Sequence, residues 1–383
     1  MTYVPPTDDM KFALRYLAGF DAVAALPAFA DTGLDLADAV IDEAAKLASD
    51  VIAPLNHASD LKGAAFSDTD SSVQTPNGFA DAYRAMAEGG WTSMEAEEAF
   101  GGQNMPMALS APVNEMWQSA SLSFALCHLL TQGQIYALQK SASQAQKQIF
   151  VPPMVEGRWT GTMNLTEPQA GTDLAAIKTR AVKQDDHYLI TGQKIYITYG
   201  EHDMAENIIH LVLARTLDAP EGVKGISVFI VPKFLVNPDG TLGARNDVRC
   251  LSIEKKLGIK ASPTAVMQYG ESGGAVGYLV GEENQGLSIM FGMMNHARFA
   301  VGLQGLSVAE RGYQQAVDYA QNRVQGTPLD CSPGASIAHH PDVLRLLSVM
   351  RAEIEAMRGL TVIGGAALDL ARHGPDEDKV KLD

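Results

Sequence analysis

The residues best suited to chemistry in this chain lie in two short runs near its middle. The first is Thr166-Glu167-Pro168-Gln169-Ala170-Gly171-Thr172-Asp173, and the second, twenty residues later, is Lys194-Ile195-Tyr196-Ile197-Thr198. An extended segment from Thr160 to Leu165 feeds the first run, and Pro168 and Gly171 break it, so several backbone N–H groups and two hydroxyls fall on a bent loop at a strand end. Fixed donors of this kind stabilise negative charge better than mobile water does, and a flavin ring that accepts hydride at N5 builds such charge at N1 and O2. In the second run, alternation places Tyr196 and Thr198 on one strand face, an aromatic and a hydroxyl that suit the plane and edge of the same ring. The competing reading is an ordinary turn followed by an amphipathic strand.

The elements that must position these runs fall into three parts. Residues 10–24, 35–56, 77–89 and 105–130 carry apolar residues at spacings of three and four, with stops at Pro54, Gly89-Gly90 and Gly133, which predicts packed helices. From Arg158 to about Val280 the pattern changes to short runs rich in Val, Ile, Thr and Tyr, such as His187–Thr191, Ile208–Leu213 and Ile226–Val231, with turns at Gln184-Asp185-Asp186 and Asn237-Pro238-Asp239-Gly240. Helical periodicity returns over about Leu287–Arg323 and Pro341–Arg372. The expected class is α+β: an N-terminal helical domain over 1–157 that includes an added N-terminal segment, a central β domain over 158–282, and the first part of a C-terminal helical bundle over 283–383.

Composition narrows the function. The 383 residues are 46% hydrophobic and 19% charged, enough for two or three cores, and no apolar stretch reaches the length of a membrane span. The first residues hold Asp8 and Asp9 and show neither a basic start nor an apolar stretch of export type. Cys127, Cys250 and Cys331 are far apart with no Cys-X-X-Cys, against a disulfide framework and a zinc site, so no metal and a reducing cytoplasm are expected. A net charge of −16 opposes nucleic-acid binding and means that an anionic nucleotide must be held by individual arginines.

With Thr172 in place of Ser and Tyr196 in place of Trp, the two runs resemble the Thr-Glu-Pro-X-Ala-Gly-Ser-Asp and Trp-Ile-Thr motifs of the acyl-CoA dehydrogenase family. The likeness extends from Glu97-Glu98-Ala99-Phe100-Gly101-Gly102 to His340 and favours the branch with an extra N-terminal helical segment. It implies FAD as cofactor and oxidation of an acyl-CoA thioester, short or sulfur-containing, to the 2-enoyl-CoA. It further implies electron-transfer flavoprotein as acceptor and a homodimer or homotetramer. By the same resemblance, Met163, Leu165, Thr166, Gly171, Thr172, Tyr196 and Thr198 contact the flavin. Arg323 and Gln325, in Arg323-Val324-Gln325-Gly326, reach the FAD of a neighbouring subunit, and Thr172, Asn295 and Arg298 meet the CoA thioester. Asn295 departs from the family's Asp, keeping an acceptor but losing the charge. The i, i+3 spacing of Asn295 and Arg298 puts them on one helix face; a surface or interface ion pair is the alternative for Arg298, and a cation complementing a helix end is the alternative for Arg323.

Removal of a proton α to a thioester carbonyl needs a carboxylate within hydrogen-bonding reach. Some family members carry that base immediately before the arginine matching Arg298, where this chain has Ala297. Others carry it in a later Tyr-Glu-Gly-Thr-like loop with no counterpart before Asp383. The expectation is therefore that the chain stops before its catalytic part, with the base beyond Asp383 and no catalytic residue inside. Two long helices alone would also leave Leu344, Leu347, Val362 and Leu368 to be covered by something else. A non-catalytic flavin- and CoA-binding subunit that needs a partner chain is the competing class, and an acyl-CoA oxidase a further one. His339-His340 reads as a helix start, Cys127-His128 and Met290, Met293 and Met294 as core, and the glycines from Gly270 to Gly277 precede a strand rather than open a helix, unlike a dinucleotide fingerprint.

Overall fold

A computed structural model describes residues 3–329 and 333–375. Cys331 and most of the polar tail therefore lie outside the described residues. Helices α1 (Thr7–Phe12), α2 (Phe20–Ala24), α3 (Leu34–Lys46) and α4 (Asn56–Lys62) are followed by a hairpin of β1 (Ala65–Ser67) and β2 (Ser72–Gln74). Helices α5 (Phe79–Glu88), α6 (Met107–Ala120), α7 (Leu122–Ser141) and α8 (Gln144–Val155) complete the helical first part. The strands are β3 (Trp159–Asn164), β4 (Arg180–Lys183), β5 (Tyr188–Thr198), β6 (Asn207–Thr216), β7 (Ser227–Pro232), β8 (Phe234–Val236), β9 (Leu242–Arg245), β10 (Val248–Ile253), β11 (Thr264–Tyr269) and β12 (Ala275–Leu279). Helices α9 (Gly286–Asn322) and α10 (Pro341–His373) close the described chain.

Two sequence expectations for the helices change. Gly133 does not end a helix: it sits inside α7, where a Cβ would come within 3.3 Å of the Met293 side chain, so the glycine permits close packing rather than a stop. The run predicted over 105–130 is two helices, because Ser121 takes extended angles between α6 and α7. The capping box of Ser143 and Gln146 at the start of α8, with both reciprocal bonds formed, went unread in the sequence. Among the described residues no helix is long and apolar enough to cross a membrane.

The chain forms two compact units, the first made of residues 1–56, 105–122 and 300–383 and the second of 57–104 and 123–299. In the first, α10 packs on α6 so closely that a Cβ on Gly365 would lie 2.9 Å from Ala108 backbone atoms. Asp369, on α10, accepts the N–H groups of Met107 and Ala108, both at 2.9 Å, and so caps an α6 whose own N-cap, Pro106, offers no side-chain acceptor. Below this contact, Arg358 of α10 is fully buried and bonds Glu115 of α6 (2.7 Å) and Glu310 of α9 (2.7 Å). Val362, one of the residues expected to need cover, is buried, whereas Leu344 remains exposed.

The second unit centres on the β domain. Strand pairings β4–β5, β5–β12, β12–β7, β7–β6 and β6–β4 return to their starting point, so five strands close a ring, with β3 added outside β6 and β11 and β10 outside the far half of β5. Closure leaves the five ring strands without a free edge, and alternation sends Ile190, Val212, Phe229, Val231 and Tyr188 into one core. Along β3 the alternation is polar on its fully buried side. Thr160, Thr162 and Asn164 bond His202 (2.9 Å), His210 (2.7 Å) and Tyr269 (2.8 Å) respectively, while Met163 on the other side is part-exposed.

Candidate active site

Thr166, two residues past the end of β3, turns its peptide groups to two different tasks. The Lys194 ammonium donates to the Leu165 carbonyl at 2.9 Å, and the Ile195 N–H donates to the Thr166 carbonyl at 2.9 Å, so β5 pins the peptide planes on both sides of Thr166. In a trans peptide the carbonyl and the following N–H point in opposite directions. The Thr166 N–H is therefore turned away from Lys194, and it meets no acceptor among the described residues. Past it, the loop folds on itself through reciprocal backbone bonds between Glu167 and Ala170, and Asp173 caps the short turn that follows by accepting the Ala175 N–H at 3.0 Å.

Glu167 is the hub of the loop. One carboxylate oxygen accepts Lys194 Nζ (2.8 Å), Thr179 Oγ1 (2.6 Å) and the Thr179 N–H (3.1 Å); the other accepts the Lys178 N–H (2.6 Å) and Gln169 Nε2 (2.6 Å). Burial pushes the Glu167 pKa up, but the Lys194 charge and these donors outweigh it and hold it below its ordinary value. For Lys194, burial wins over the Glu167 charge and brings its pKa down to about 8. Both side chains are buried among apolar strands. Sequence reasoning assigned neither a role. The available signal was a lysine at an inward position of a strand otherwise rich in Ile and Tyr.

On β5 the expected alternation holds only at the end. The register against β11 shifts between Ala265 and Met267, which pair with Ile197 and Lys194, so two residues of β5, Ile195 and Tyr196, oppose Val266 alone. This bulge gives Tyr196 a left-handed φ of 60° and turns its side chain outward, 61% exposed, two positions from the fully buried Lys194. A non-glycine residue in that conformation carries strain that the surrounding ladder must hold in place. Tyr196 and the part-exposed Thr198 then flank buried Ile197, the shared side that the sequence predicted. Gly171 and Thr172 are exposed on the loop, and Met163, Leu165 and Thr166 are part-exposed beside it. An outward aromatic, three threonine hydroxyls and a free N–H fit the edge and face of a flavin ring.

Asn295 and Arg298 meet on one face of α9, as their spacing predicts: Arg298 Nη1 donates to Asn295 Oδ1 at 2.6 Å, and the guanidinium lies 5.6 Å from the Phe291 ring centre. Among the described residues of this chain Arg298 forms no ion pair. Arg323 and Gln325 belong to the other compact unit and are exposed just past the end of α9. Their carbonyls accept the Ile337 N–H (2.8 Å) and bond a His340 ring nitrogen (2.8 Å), which fixes the backbone and leaves both side chains outward.

Family models for the N-terminal, middle and C-terminal domains of acyl-CoA dehydrogenases match residues 37–158, 162–271 and 284–380. Because the C-terminal model is matched as well, the expectation that the chain stops before that part is not supported. Over its full length the chain is 47% identical to 3-methylmercaptopropionyl-CoA dehydrogenase of Ruegeria pomeroyi, covering 64% of that protein. It spans less than two thirds of the length of the curated relatives it matches end to end. The structure superimposes on butyryl-CoA dehydrogenase of Megasphaera elsdenii with a TM-score of 0.69 at 25% identity, covering 88% of this chain and 83% of the other. It has the fold of an acyl-CoA dehydrogenase complexed with FAD from Bacillus anthracis, with a TM-score of 0.72 at 22% identity over 92% of this chain and 55% of the other.

Proposed function

Since the chain belongs to the acyl-CoA dehydrogenase family, we propose that it binds FAD at the 166–173 loop and the outward end of β5, and oxidises an acyl-CoA thioester to the 2-enoyl-CoA. The observation that carries this reading is the unpartnered Thr166 N–H next to a Tyr196 that a bulge holds outward against its backbone preference. Bound there, FAD supplies the acceptor for the hydride that leaves the carbon β to the thioester carbonyl. Thr166, Thr172 and Thr198 donate to the ring edge, Tyr196 covers its face with Met163 and Leu165 beside it, and Gly171 leaves room for close approach. Asn295, Arg298 and Thr172 hold the CoA arm; without the acidic group usual at position 295, the Arg298 charge is free for a phosphate or carbonyl oxygen.

Arg323 and Gln325 reach a neighbouring subunit's FAD, which makes the working form a homodimer or homotetramer, and electron-transfer flavoprotein takes the electrons. The similarity to the Ruegeria enzyme supports 3-methylmercaptopropionyl-CoA as substrate, a step of dimethylsulfoniopropionate degradation, with butyryl-CoA the short-chain comparison. Buried free Cys127 and Cys250 agree with a cytoplasmic place. The α proton needs a carboxylate base, and Ala297 cannot provide one.

The test is an absorbance spectrum of the purified chain, followed by anaerobic addition of 3-methylmercaptopropionyl-CoA and of butyryl-CoA. A bound flavin spectrum is expected, and bleaching by either thioester would add a working base among this chain's residues, a role that no residue has been assigned. Absence of flavin overturns the cofactor reading, and a bound flavin that both thioesters leave oxidised overturns the dehydrogenation.

A further inference from the structure

We propose that the buried Glu167–Lys194 ion pair is a positioning device whose task is to aim the Thr166 N–H at the flavin. This rests on the reading of the loop as a flavin site. Neither residue touches the ring; both act through the peptide between Leu165 and Thr166.

The geometry separates this role from plain packing. A loop held only by its own turn would be free to rotate the 165–166 peptide, since Pro168 and Gly171 fix the bend two residues and more beyond it. Lys194 removes that freedom by taking the Leu165 carbonyl at 2.9 Å. The ammonium is held in turn by Glu167 at 2.8 Å, and Glu167 is itself immobilised by four further donors from Thr179, Lys178 and Gln169. The bulge on β5 is part of the device. Without the extra residue, an inward Lys194 would put Tyr196 inward as well; with it, one strand sends the lysine under the loop and the tyrosine to the open side. Replacing a buried ion pair by apolar residues of the same volume is often neutral or stabilising, so stability alone does not account for this pair under a loop of outward donors, whereas orientation does.

The decisive variant is the double substitution Glu167→Gln with Lys194→Met. Removing both charges together avoids leaving either one buried alone, the outcome that makes a single substitution unfold a core. Flavin binding to the apoprotein is followed by fluorescence, the midpoint potential of the bound flavin by reductive titration, and folding by circular dichroism. Tyr269→Phe, which deletes a buried 2.8 Å bond to Asn164 in the same β domain, serves as a control for general loosening.

The expected result is a folded double variant that binds oxidised FAD about two- to tenfold more weakly, the effect of losing one hydrogen bond to a neutral acceptor. Its midpoint potential moves to more negative values because the reduced ring loses a donor, while Tyr269→Phe keeps the wild-type potential. A folded double variant with wild-type affinity and potential overturns the proposal. So does one that fails to fold, because the pair is then a requirement of the fold itself. Failure of the wild-type chain to bind FAD sinks the underlying site reading instead.

Discussion

Each compact unit buries an ion cluster, and the two clusters are built for different ends. In the first unit Arg358 joins Glu115 and Glu310, residues 243 and 48 positions away in sequence, and so ties α10 to α6 and α9. In the second, Lys194 joins Glu167 across 27 positions, beneath a loop whose outward N–H is open. One cluster connects helices; the other orients a peptide. Buried charge alone therefore does not mark a functional site. The mark is whether the groups it restrains face a partner within the chain or face outward.

The largest effect should come from Arg358→Met. It leaves two carboxylates buried without a cation, and the expected loss is about 3–5 kcal/mol, read as a fall in Tm. The molecules that remain folded should keep the flavin spectrum and potential of wild type. A changed potential would erase the distinction between the two clusters, and the Glu167→Gln/Lys194→Met variant should give the opposite pattern.

Protons offer a second contrast. In the second unit burial lowers the pKa of His128 to about 4 and those of His202 and His210 to about 3. The unfolded chain takes up these protons near pH 6.5 and the folded one does not. The stability they give is thus full above about pH 6.5 and drains away as pH falls toward 3. In the first unit burial raises Glu115 to about 7, with Arg358 opposing and Glu310 and Glu355 assisting. Here the folded state holds the proton longer, so stability is greatest below about pH 4.5 and declines as pH rises through 7. Amide exchange at pH 5 and pH 8 should show the β core better protected at the higher pH and the α6–α10 contact at the lower. Glu115→Gln should abolish the second trend and leave the first.

Tyr196→Phe should bind FAD as wild type does, and Tyr196→Ala several-fold more weakly, if the ring face is what the bulge presents; equal loss in both would point to the hydroxyl instead. Arg345→Ala is the smallest change. Its 2.8 Å pair with Asp342 lies on an exposed turn of α10, and no measurable shift in Tm is expected.

Much of the architecture could be read from the sequence because it depends on local patterns. Helices α9 and α10 begin and end within a residue or two of the predicted stretches, and the run of β-branched residues located the β domain. The loop at Thr166 and the strand at Tyr196 were legible from residue type. The bulge was not, since it depends on which strand lies alongside, and β11 begins 66 residues later than Thr198. The Arg358 cluster was hidden for the same reason: a lone arginine in a helix reads as solvated until α6 and α9 are placed around it. Helix α10 likewise packs on α6, far earlier in the chain, and counting only the helices nearby misses it.

The first unit is interrupted: its residues 1–56 and 105–122 are made long before 300–383. During synthesis Glu115 waits for an Arg358 that is 243 residues away, roughly ten to fifty seconds at about 5–20 residues/s. Over that interval α6 has neither its cap from Asp369 nor its ionic partner, and its buried faces are open to water. The second unit, complete by residue 299, is free to fold first. This order makes the nascent first unit the stage at which a chaperone would act, and slowed translation between residues 123 and 357 should lower the yield of folded protein more than slowing before residue 105.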